Sequence, residues 1–272
     1  MDSPHAQNSS AELTRALARV VEAGGVAVLA TVVEAGRGVG AKVLFEAEGG
    51  RTGTSGDAAL DEALARYARV FLASRAEAKT VRAEEFAAGL EAWRGARLLF
   101  ERVEPEPHLV VCGAGHVGAA LARLAHAVGY RVTLVDDRAD FLTRARFPEE
   151  EIDLVTAHGW GETLKEVVGT GRGVYAAVVT RGHNEDEECL RAVLAARPDY
   201  VGMIGSRRRT NIVLGRLRES GIDKEVLKEV RAPVGLDIGA VTPEEVALAI
   251  LAEVVAHRRG GTGAPLSAWR RA

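Results

Sequence analysis

The sequence predicts an α/β protein with a Rossmann-like, doubly wound parallel sheet and a smaller amino-terminal α/β domain. Apolar strand patterns alternate with helical patterns from His108 onward, which is typical of a parallel sheet. Residues 101–107 contain two prolines and three acidic residues, a composition that suits neither a helix nor a central strand. We therefore predict two domains, over residues 1–104 and residues 108–260.

Composition and length indicate a globular protein. The chain has 272 residues, of which 47% are apolar, and this is sufficient for a buried core. Its net charge of -3 gives no electrostatic reason to expect a nucleic-acid partner. No apolar run approaches the ~20 residues of a membrane span, and the polar residues 1–10 are unlike a signal peptide. We therefore expect a cytoplasmic protein with no membrane span.

The first half has the pattern of a compact α/β domain. A helix is predicted from Ser9, with Glu12 as its capping-box partner, and Gly24-Gly25 ends it. The other predicted elements of this half are strands over residues 26–33, 41–47 and 96–103, and a helix over residues 57–71.

The centre of the predicted parallel sheet is an apolar strand pattern that breaks into glycines and resumes as a helix. Gly113 lets the chain turn out of the strand, Gly115 leaves room for a pyrophosphate, and Gly118 lets helix and strand pack closely. The helix start, which His116 and Val117 occupy, is predicted to direct its free N–H groups at an anion. The alternative is a glycine-rich turn that binds no ligand.

An acidic residue follows at the position that this fingerprint requires. The second strand pattern, residues 131–135, leads into Asp136, which lies eighteen residues after Gly118 and is predicted to bind a ribose hydroxyl. Asp137 and Arg138 come directly after it. Asp136 disfavours a 2′-phosphate and so favours NAD over NADP, and the adjacent Arg138 weakens that preference.

Further strand and helix patterns follow in alternation. Strands are predicted over residues 153–157, 174–180 and 200–204, and helices over residues 160–168, 185–196 and 207–219. The last helix is predicted to have Thr242 as its N-cap, Pro243 as its first residue and Glu245 as its capping-box partner.

Polar clusters follow the predicted strands at their carboxyl ends, which is where open α/β sheets bind ligands. After the fifth strand, Ser206 as N-cap, open N–H groups and arginines together favour an anion site, and the alternative is a solvated basic helix start. The predicted cofactor-binding residues are Gly113, Gly115, His116, Val117, Gly118, Asp136, Asp137, Arg138, His183, Asp186, Gly205, Ser206, Arg207 and Arg208.

The sequence indicates binding more clearly than catalysis. His183 and Asp186 are compatible with an acid–base or metal pair, but no third ligand occurs at metal spacing, so we favour hydrogen bonds to the ligand or the loop. His116 is either a ligand contact or a surface histidine. Cys112 and Cys189 lack CxxC spacing, which indicates neither a disulfide framework nor a zinc site, and both are expected to be buried. We predict no catalytic residue and no metal site.

Five segments of the second half carry a family resemblance: Gly113-Ala-Gly-His-Val-Gly118, Val135-Asp-Asp-Arg138, Tyr200-Val-Gly-Met-Ile-Gly-Ser-Arg-Arg208, Ala232-Pro-Val-Gly-Leu-Asp-Ile-Gly239 and Thr242-Pro-Glu-Glu-Val-Ala247. Together they resemble the XdhC/CoxI-type accessory factors of xanthine dehydrogenase and related molybdenum hydroxylases, over residues 108–260. The resemblance implies a protein that binds molybdenum cofactor, a pterin phosphate often extended to a dinucleotide, and helps deliver its matured form to the apo-enzyme. It further implies a homodimer and a sulfurtransferase partner.

The first half resembles the family's smaller amino-terminal domain. Residues 36–44 are similar to its segment after the first strand and retain Arg37. A glycine-rich turn that carries a cysteine in the family corresponds to residues 53–61, and Ala59 stands at the cysteine position. Arg181 is a further departure, because the family often has histidine there.

The sequence leaves three functions open. The first is a non-enzymatic or weakly enzymatic accessory protein that binds cofactor. The second is an NAD(P)-dependent oxidoreductase, which the glycine motif and Asp136 would serve equally, with His183 as proton donor. The third is a regulatory nucleotide-binding protein. We favour the accessory protein, because no recognisable catalytic motif is evident.

Overall fold

The structure is a computed structural model that describes residues 4–74 and 76–267. It divides into two compact units, with the boundary between Pro105 and Glu106, inside the predicted proline-rich segment. Within the described residues, no helix is both long enough and apolar enough to cross a membrane.

The amino-terminal unit is built on an antiparallel sheet. Its elements are α1 (Pro4–Glu22), β1 (Ala27–Glu34), β2 (Lys42–Glu46), β3 (Arg51–Gly53), α2 (Ala58–Leu72), β4 (Ala78–Arg82) and β5 (Arg97–Val103). The strands lie in the order β3-β2-β1-β5-β4, and each neighbouring pair is antiparallel.

The two helices of this unit cover opposite faces of the sheet. Ala27 of β1 packs in one cluster with Val20 of α1, whereas the next residue, Val28, packs in another with Leu64 of α2. Successive side chains of a strand point to opposite faces, so a helix on each side covers both faces of β1, whose last two residues alone are exposed. This explains why residues 26–33 form a continuous apolar run.

The carboxy-terminal unit is the predicted doubly wound parallel sheet. Its elements are β6 (His108–Cys112), α3 (His116–Ala127), β7 (Arg131–Asp136), β8 (Ile152–Thr156), α4 (Trp160–Val168), β9 (Val174–Val178), α5 (His183–Ala196), β10 (Tyr200–Met203), α6 (Arg207–Glu219), α7 (Lys224–Glu229) and α8 (Pro243–Arg259). The strand order is β10-β9-β6-β7-β8, and all neighbouring pairs are parallel. The chain therefore changes direction across the sheet between β6 and β9, which is the switch point where such folds bind ligands.

Helices cover both faces of this sheet. Leu121 of α3 and Ile250 of α8 share one core cluster with Leu109 of β6. The adjacent residue Val110 lies in the cluster of the other face, with Leu190 of α5. Both faces of β6 are therefore buried in the core, and the glycine turn follows directly from this buried strand.

Several elements were not predictable from the sequence, for physical reasons. In the edge strand β4, Val81 alone is buried, so the strand carries no alternating pattern. Strand β3 has three residues and α7 has six, too few for a periodicity to appear. Helix α1 begins at Pro4 rather than at the predicted Ser9, and proline is favoured in the first turn of a helix. The predicted cap of α8 is confirmed: Thr242 accepts from the Glu245 N–H, and Pro243 is the first helical residue.

Candidate functional site

The turn after β6 depends on close backbone contacts. Gly113 has φ +116°, and a Cβ there would lie 2.7 Å from the carbonyl oxygen of Val179. A Cβ at Gly118 would collide with the carbonyl oxygen of Gly113. These contacts pack the turn, the start of α3 and the end of β9 against one another, so that only glycine fits at either position.

Gly115 has open space beside it. A Cβ built on this residue meets no atom within 4 Å, and Gly115 is the N-cap of α3 without a side chain to cap it. Within the described part of the chain, the backbone N–H groups of His116, Val117 and Gly118 have no acceptor. This helix start is suitable for a phosphate, because it offers three free N–H donors and the positive end of the helix dipole, and because no atom of the described residues blocks access beside Gly115.

Asp136 is hydrogen-bonded to the backbone of the glycine turn. It ends β7 with 1% of its surface exposed, and its Oδ2 accepts a hydrogen bond of 2.6 Å from the Ala114 N–H. The Arg138 side chain donates to both carboxylate oxygens, from Nε to Oδ1 at 2.9 Å and from Nη2 to Oδ2 at 3.0 Å. Both oxygens are therefore engaged inside the protein. This differs from the prediction that Asp136 offers its carboxylate to a ligand hydroxyl.

A second arginine holds the same turn from another side. Arg146 donates from Nη2 to the Ala114 carbonyl oxygen at 3.3 Å. Its guanidinium carbon lies 4.8 Å from the ring centroid of Phe141, and that of Arg138 lies 3.7 Å from the same centroid. The N–H and the carbonyl of Ala114 are thus both fixed by charged side chains, and this preorganises the turn.

Asp137 forms an ion pair with a residue from another strand end. Arg181, which follows β9, donates to both carboxylate oxygens, at 2.7 Å and 2.8 Å. These bonds hold the pKa of Asp137 below its usual value and raise that of Arg181. Glu185 of α5 lies 3.3 Å from the same guanidinium. Because β7 and β9 are the two neighbours of β6, this pair spans the strand that carries the glycine turn.

Asp186 is a second buried carboxylate that links neighbouring segments of this edge through hydrogen bonds. The carboxylate is fully buried and accepts from the Thr180 hydroxyl at 2.6 Å and from Arg209 Nε at 2.7 Å. Burial raises its pKa, and the hydrogen bonds from Thr180 and Arg209 oppose that shift. Asp186 therefore ties the starts of α5 and α6 to the end of β9. Among the described residues Asp186 makes no hydrogen bond with His183, and it does not face solvent.

We expect Asp186→Asn to destabilise the protein by about 3 kcal/mol, because it leaves the partly buried Arg209 guanidinium without its counter-charge. Glu187→Gln is the matched control, since Glu187 is one residue away and pairs with the exposed Arg191. Its change should stay within about 0.5 kcal/mol. Urea unfolding of both variants measures the difference, and equal effects would contradict the bracing role.

The start of α6 presents free positive charge. Ser206 is the predicted N-cap, and its hydroxyl accepts from the Arg209 N–H at 3.2 Å. The side chains of Arg207 and Arg208 are exposed, and neither pairs with a carboxylate among the residues that the structure describes. Gly205 precedes them at the end of β10, which lies two strands, about 10 Å, from β6.

The predicted residues and their partners therefore lie along one edge of the sheet in three groups: the glycine turn with Asp136, the Asp137–Arg181 pair, and the Asp186–Arg209 pair at the start of α6. His183 stands apart. It is exposed in an open hollow of about 340 Å³ between α5 and α6, and its ring makes no hydrogen bond within the described residues.

Four residues of this edge were absent from the predicted set. Arg181 lies three residues after the end of β9, and Arg209 is the third residue of α6, next to the predicted Arg207 and Arg208, so their positions were a usable signal. Phe141 and Arg146 lie in the connection between β7 and β8. Arg146 contacts the turn at Ala114, Phe141 packs against the Arg146 guanidinium, and both contacts depend on how that loop folds back. No sequence pattern indicates such a contact.

Comparison with known proteins decides the family. The model of the XdhC Rossmann domain matches residues 109–254, which is more than half of the chain. The chain belongs to the XdhC family. The matched segment begins in β6 and ends in α8, so it contains the glycine turn, the buried carboxylates of Asp136 and Asp186, and the start of α6.

Two curated relatives have names that describe a function. This XdhC protein is 32% identical over 162 residues to a protein of Bacillus subtilis (strain 168) that is named as a probable xanthine dehydrogenase subunit, covering 60% of this chain and 46% of that protein. It is 37% identical over 84 residues to the molybdenum cofactor insertion chaperone PaoD of Escherichia coli (strain K12), covering 30% of this chain and 26% of PaoD. The chain thus spans less than half the length of the curated relatives it matches.

A solved structure shares the fold. A crystal structure of a xanthine dehydrogenase from Bacillus halodurans is similar to this XdhC protein with a TM-score of 0.51. The alignment covers 94% of this chain and 98% of that one, at 18% sequence identity. At this identity the likeness shows the fold alone.

The amino-terminal unit has no thiol at the position where the family resemblance places one. Ala59 is exposed in the first turn of α2, and its N–H donates to Asp57 Oδ1 at 2.9 Å. The other oxygen of Asp57 accepts from Trp93 Nε1 and from Arg37. The pKa of Asp57 is lowered chiefly by the hydrogen bond from Trp93 and then by those from the backbone N–H groups of Leu60 and Ala59, with a smaller effect of the Arg37 charge. The carboxylate of Asp57 therefore caps the start of α2 and binds its free N–H groups.

The two cysteines of the chain lie in the carboxy-terminal unit. Cys112 and Cys189 are both buried in the core cluster on the α5 side of the sheet, as the sequence predicted. Burial raises the pKa of the Cys189 thiol, which keeps it protonated and unreactive.

Proposed function

We propose that this XdhC protein binds molybdenum cofactor, as a pterin phosphate or its dinucleotide form, and assists its maturation or insertion into an apo-molybdoenzyme of the xanthine dehydrogenase type. Membership of the XdhC family and the names of the Bacillus subtilis and Escherichia coli relatives support the class of client. The single observation that carries the proposal is the open start of α3 at Gly115, with three N–H groups free of internal acceptors.

The residues at this edge fit a phosphorylated cargo. The N–H groups of α3 suit one phosphate, and Gly115 leaves the space that its oxygens need. The exposed guanidinium groups of Arg207 and Arg208 suit further anionic groups of the cargo, and two neighbouring arginines form charge-assisted bonds to phosphate more strongly than neutral donors do.

The two buried carboxylates have a positioning role in this proposal. Asp136 holds Ala114 and Asp186 holds Arg209, so each fixes a segment that carries free donors. Neither carboxylate is offered to the cargo. Polar contacts with the pterin or ribose hydroxyls are assigned instead to Asp137, whose pair with Arg181 is partly exposed, and to His183, which is exposed in the separate hollow between α5 and α6.

The same geometry bears on the oxidoreductase alternative. Recognition of NAD requires a carboxylate at the end of the second strand that accepts from a ribose hydroxyl. Asp136 occupies that position but is 1% exposed and bound to Arg138. Binding of NAD in the usual manner would first require Arg138 to move, and this favours the accessory protein. The homodimer and the sulfurtransferase partner stay predictions.

An activation assay tests the insertion role. Purified protein is loaded with molybdenum cofactor under anaerobic conditions and mixed with apo-enzyme of the xanthine dehydrogenase type. We expect more active enzyme than an equal amount of free cofactor yields, because a bound cofactor is protected until it is transferred. Albumin is the control for non-specific protection. Equal yields with albumin, with free cofactor and with the XdhC protein would contradict the proposal.

A further inference from the structure

We propose that Arg181 is a phosphate-binding residue of this site and that it exchanges its partner, leaving Asp137 for the phosphorylated cargo when the cargo binds. The inference rests on the proposed function, because it requires a phosphate at the start of α3. It assigns a role to a residue that departs from the histidine often found in the family, and it predicts that the Arg181 guanidinium binds either Asp137 or a phosphate, but not both at once.

Arg181 lies directly beside the glycine turn. A Cβ on Gly113 would lie 2.7 Å from the Val179 carbonyl oxygen and 3.1 Å from the Thr180 Cα, so the turn packs on the two residues that precede Arg181. From there the Arg181 side chain crosses the end of β6 and reaches Asp137 at the end of β7. A phosphate bound near Gly115 and this guanidinium therefore compete for the same small region.

The charges of this region favour an exchange. Asp136, Arg138, Asp137, Arg181 and Glu185 form one chain of ion pairs. This chain of ion pairs holds three carboxylates and two guanidinium groups, so its net charge is negative. It therefore repels a phosphate unless one of the guanidinium groups leaves its carboxylate and binds the phosphate instead.

Of the two arginines, Arg181 is the one that can leave its partner. The carboxylate of Asp136, which binds Arg138, is 2% exposed, and a buried carboxylate is costly to leave unpaired. The side chains of Arg181 and Asp137 are 46% and 30% exposed, so water compensates both groups when their pair opens. A planar guanidinium that binds a carboxylate through two donors can bind two phosphate oxygens in the same way.

Calorimetric titration with inorganic pyrophosphate tests the exchange. Arg181→Gln should weaken pyrophosphate binding about tenfold, the usual effect of losing a charge-assisted hydrogen bond. Asp137→Asn should strengthen it about threefold, because the carboxylate no longer competes for the guanidinium. In the double variant the gain from Asp137→Asn should disappear, since Arg181 is no longer present to be released.

Matched controls separate exchange from general electrostatics. Asp140→Asn removes the same charge from an exposed residue in the turn that follows β7, and Arg191→Gln removes an exposed arginine of α5. Both should change affinity less than twofold. The exchange is overturned if Arg181→Gln has no effect, if Asp137→Asn gives the same gain with and without Arg181, or if Asp140→Asn gives the same gain as Asp137→Asn.

Failure of the proposed function has a different signature in this experiment. If Gly115→Asp leaves the binding of pyrophosphate to the otherwise wild-type protein unchanged, or if wild-type protein does not bind it, the phosphate site at α3 is wrong, and the exchange falls with it. If Gly115→Asp removes binding and the Arg181 and Asp137 variants do not alter it, the phosphate site stands and the exchange alone is refuted.

Discussion

Gly118→Ala is expected to destabilise the carboxy-terminal unit by about 3 kcal/mol or more, the upper range of overpacking effects. The added Cβ would collide with the carbonyl oxygen of Gly113, which is backbone and cannot rotate away. The methyl group would also lie 3.2 Å from Val179 Cγ2. Relief therefore requires α3 to move away from the turn, and this movement would also disrupt the donors at its start. Urea unfolding measures the loss.

Gly215→Ala is the matched control for that substitution. Gly215 also lies inside a helix, α6, and a Cβ there meets no atom within 4 Å. Alanine has the higher helix propensity, so this variant should gain up to about 1 kcal/mol. Opposite signs for the two glycine-to-alanine changes identify close packing as the cause. A neutral Gly118→Ala would show that the turn is not held against α3.

Gly115→Asp is expected to weaken the binding of molybdenum cofactor at least about 100-fold, because like charges 4 Å apart repel by about 4 kcal/mol at an effective dielectric constant of 20. The substitution should leave the fold intact. A Cβ at Gly115 meets no atom within 4 Å, and aspartate is a favoured N-cap whose carboxylate accepts from the free N–H groups. The introduced carboxylate thus occupies the place of the phosphate.

Anaerobic calorimetry and thermal melting together measure this effect. We expect the melting temperature of Gly115→Asp to equal or exceed that of the wild type while binding is lost. Gly215→Asp introduces the same charge at an equally open glycine, in the middle of α6, and should bind as the wild type does. Undiminished binding by Gly115→Asp would show that the cofactor does not use the start of α3.

The elements with a strong periodic pattern were predictable from the sequence. Strand β9 is apolar along its whole length and β6 is apolar after His108, and α8 carries its capping box in the sequence itself. Strand β4 was not predictable, because an edge strand with one buried residue has no periodicity.

The carboxylates of the site show the limit of sequence reasoning more clearly. The spacing from Gly118 placed Asp136 at the correct end of β7, but its availability depends on Arg138 and on the Ala114 N–H, which occupy both of its oxygens. For Asp186 the sequence favoured hydrogen bonds to the ligand or the loop. In the structure it accepts from the nearby Thr180 hydroxyl and also from Arg209, which lies twenty-three residues away along the chain. Position along a strand is local information, and hydrogen-bond partners are decided by the tertiary fold.

The central claim is that the start of α3 binds the phosphate of molybdenum cofactor. Its most direct test is anaerobic calorimetric titration of the wild-type protein with molybdenum cofactor, NAD and NADP in separate experiments. We predict tight binding of molybdenum cofactor and no comparable binding of either nicotinamide dinucleotide. Binding of NAD or NADP without binding of molybdenum cofactor would contradict the account and would direct attention to an oxidoreductase substrate.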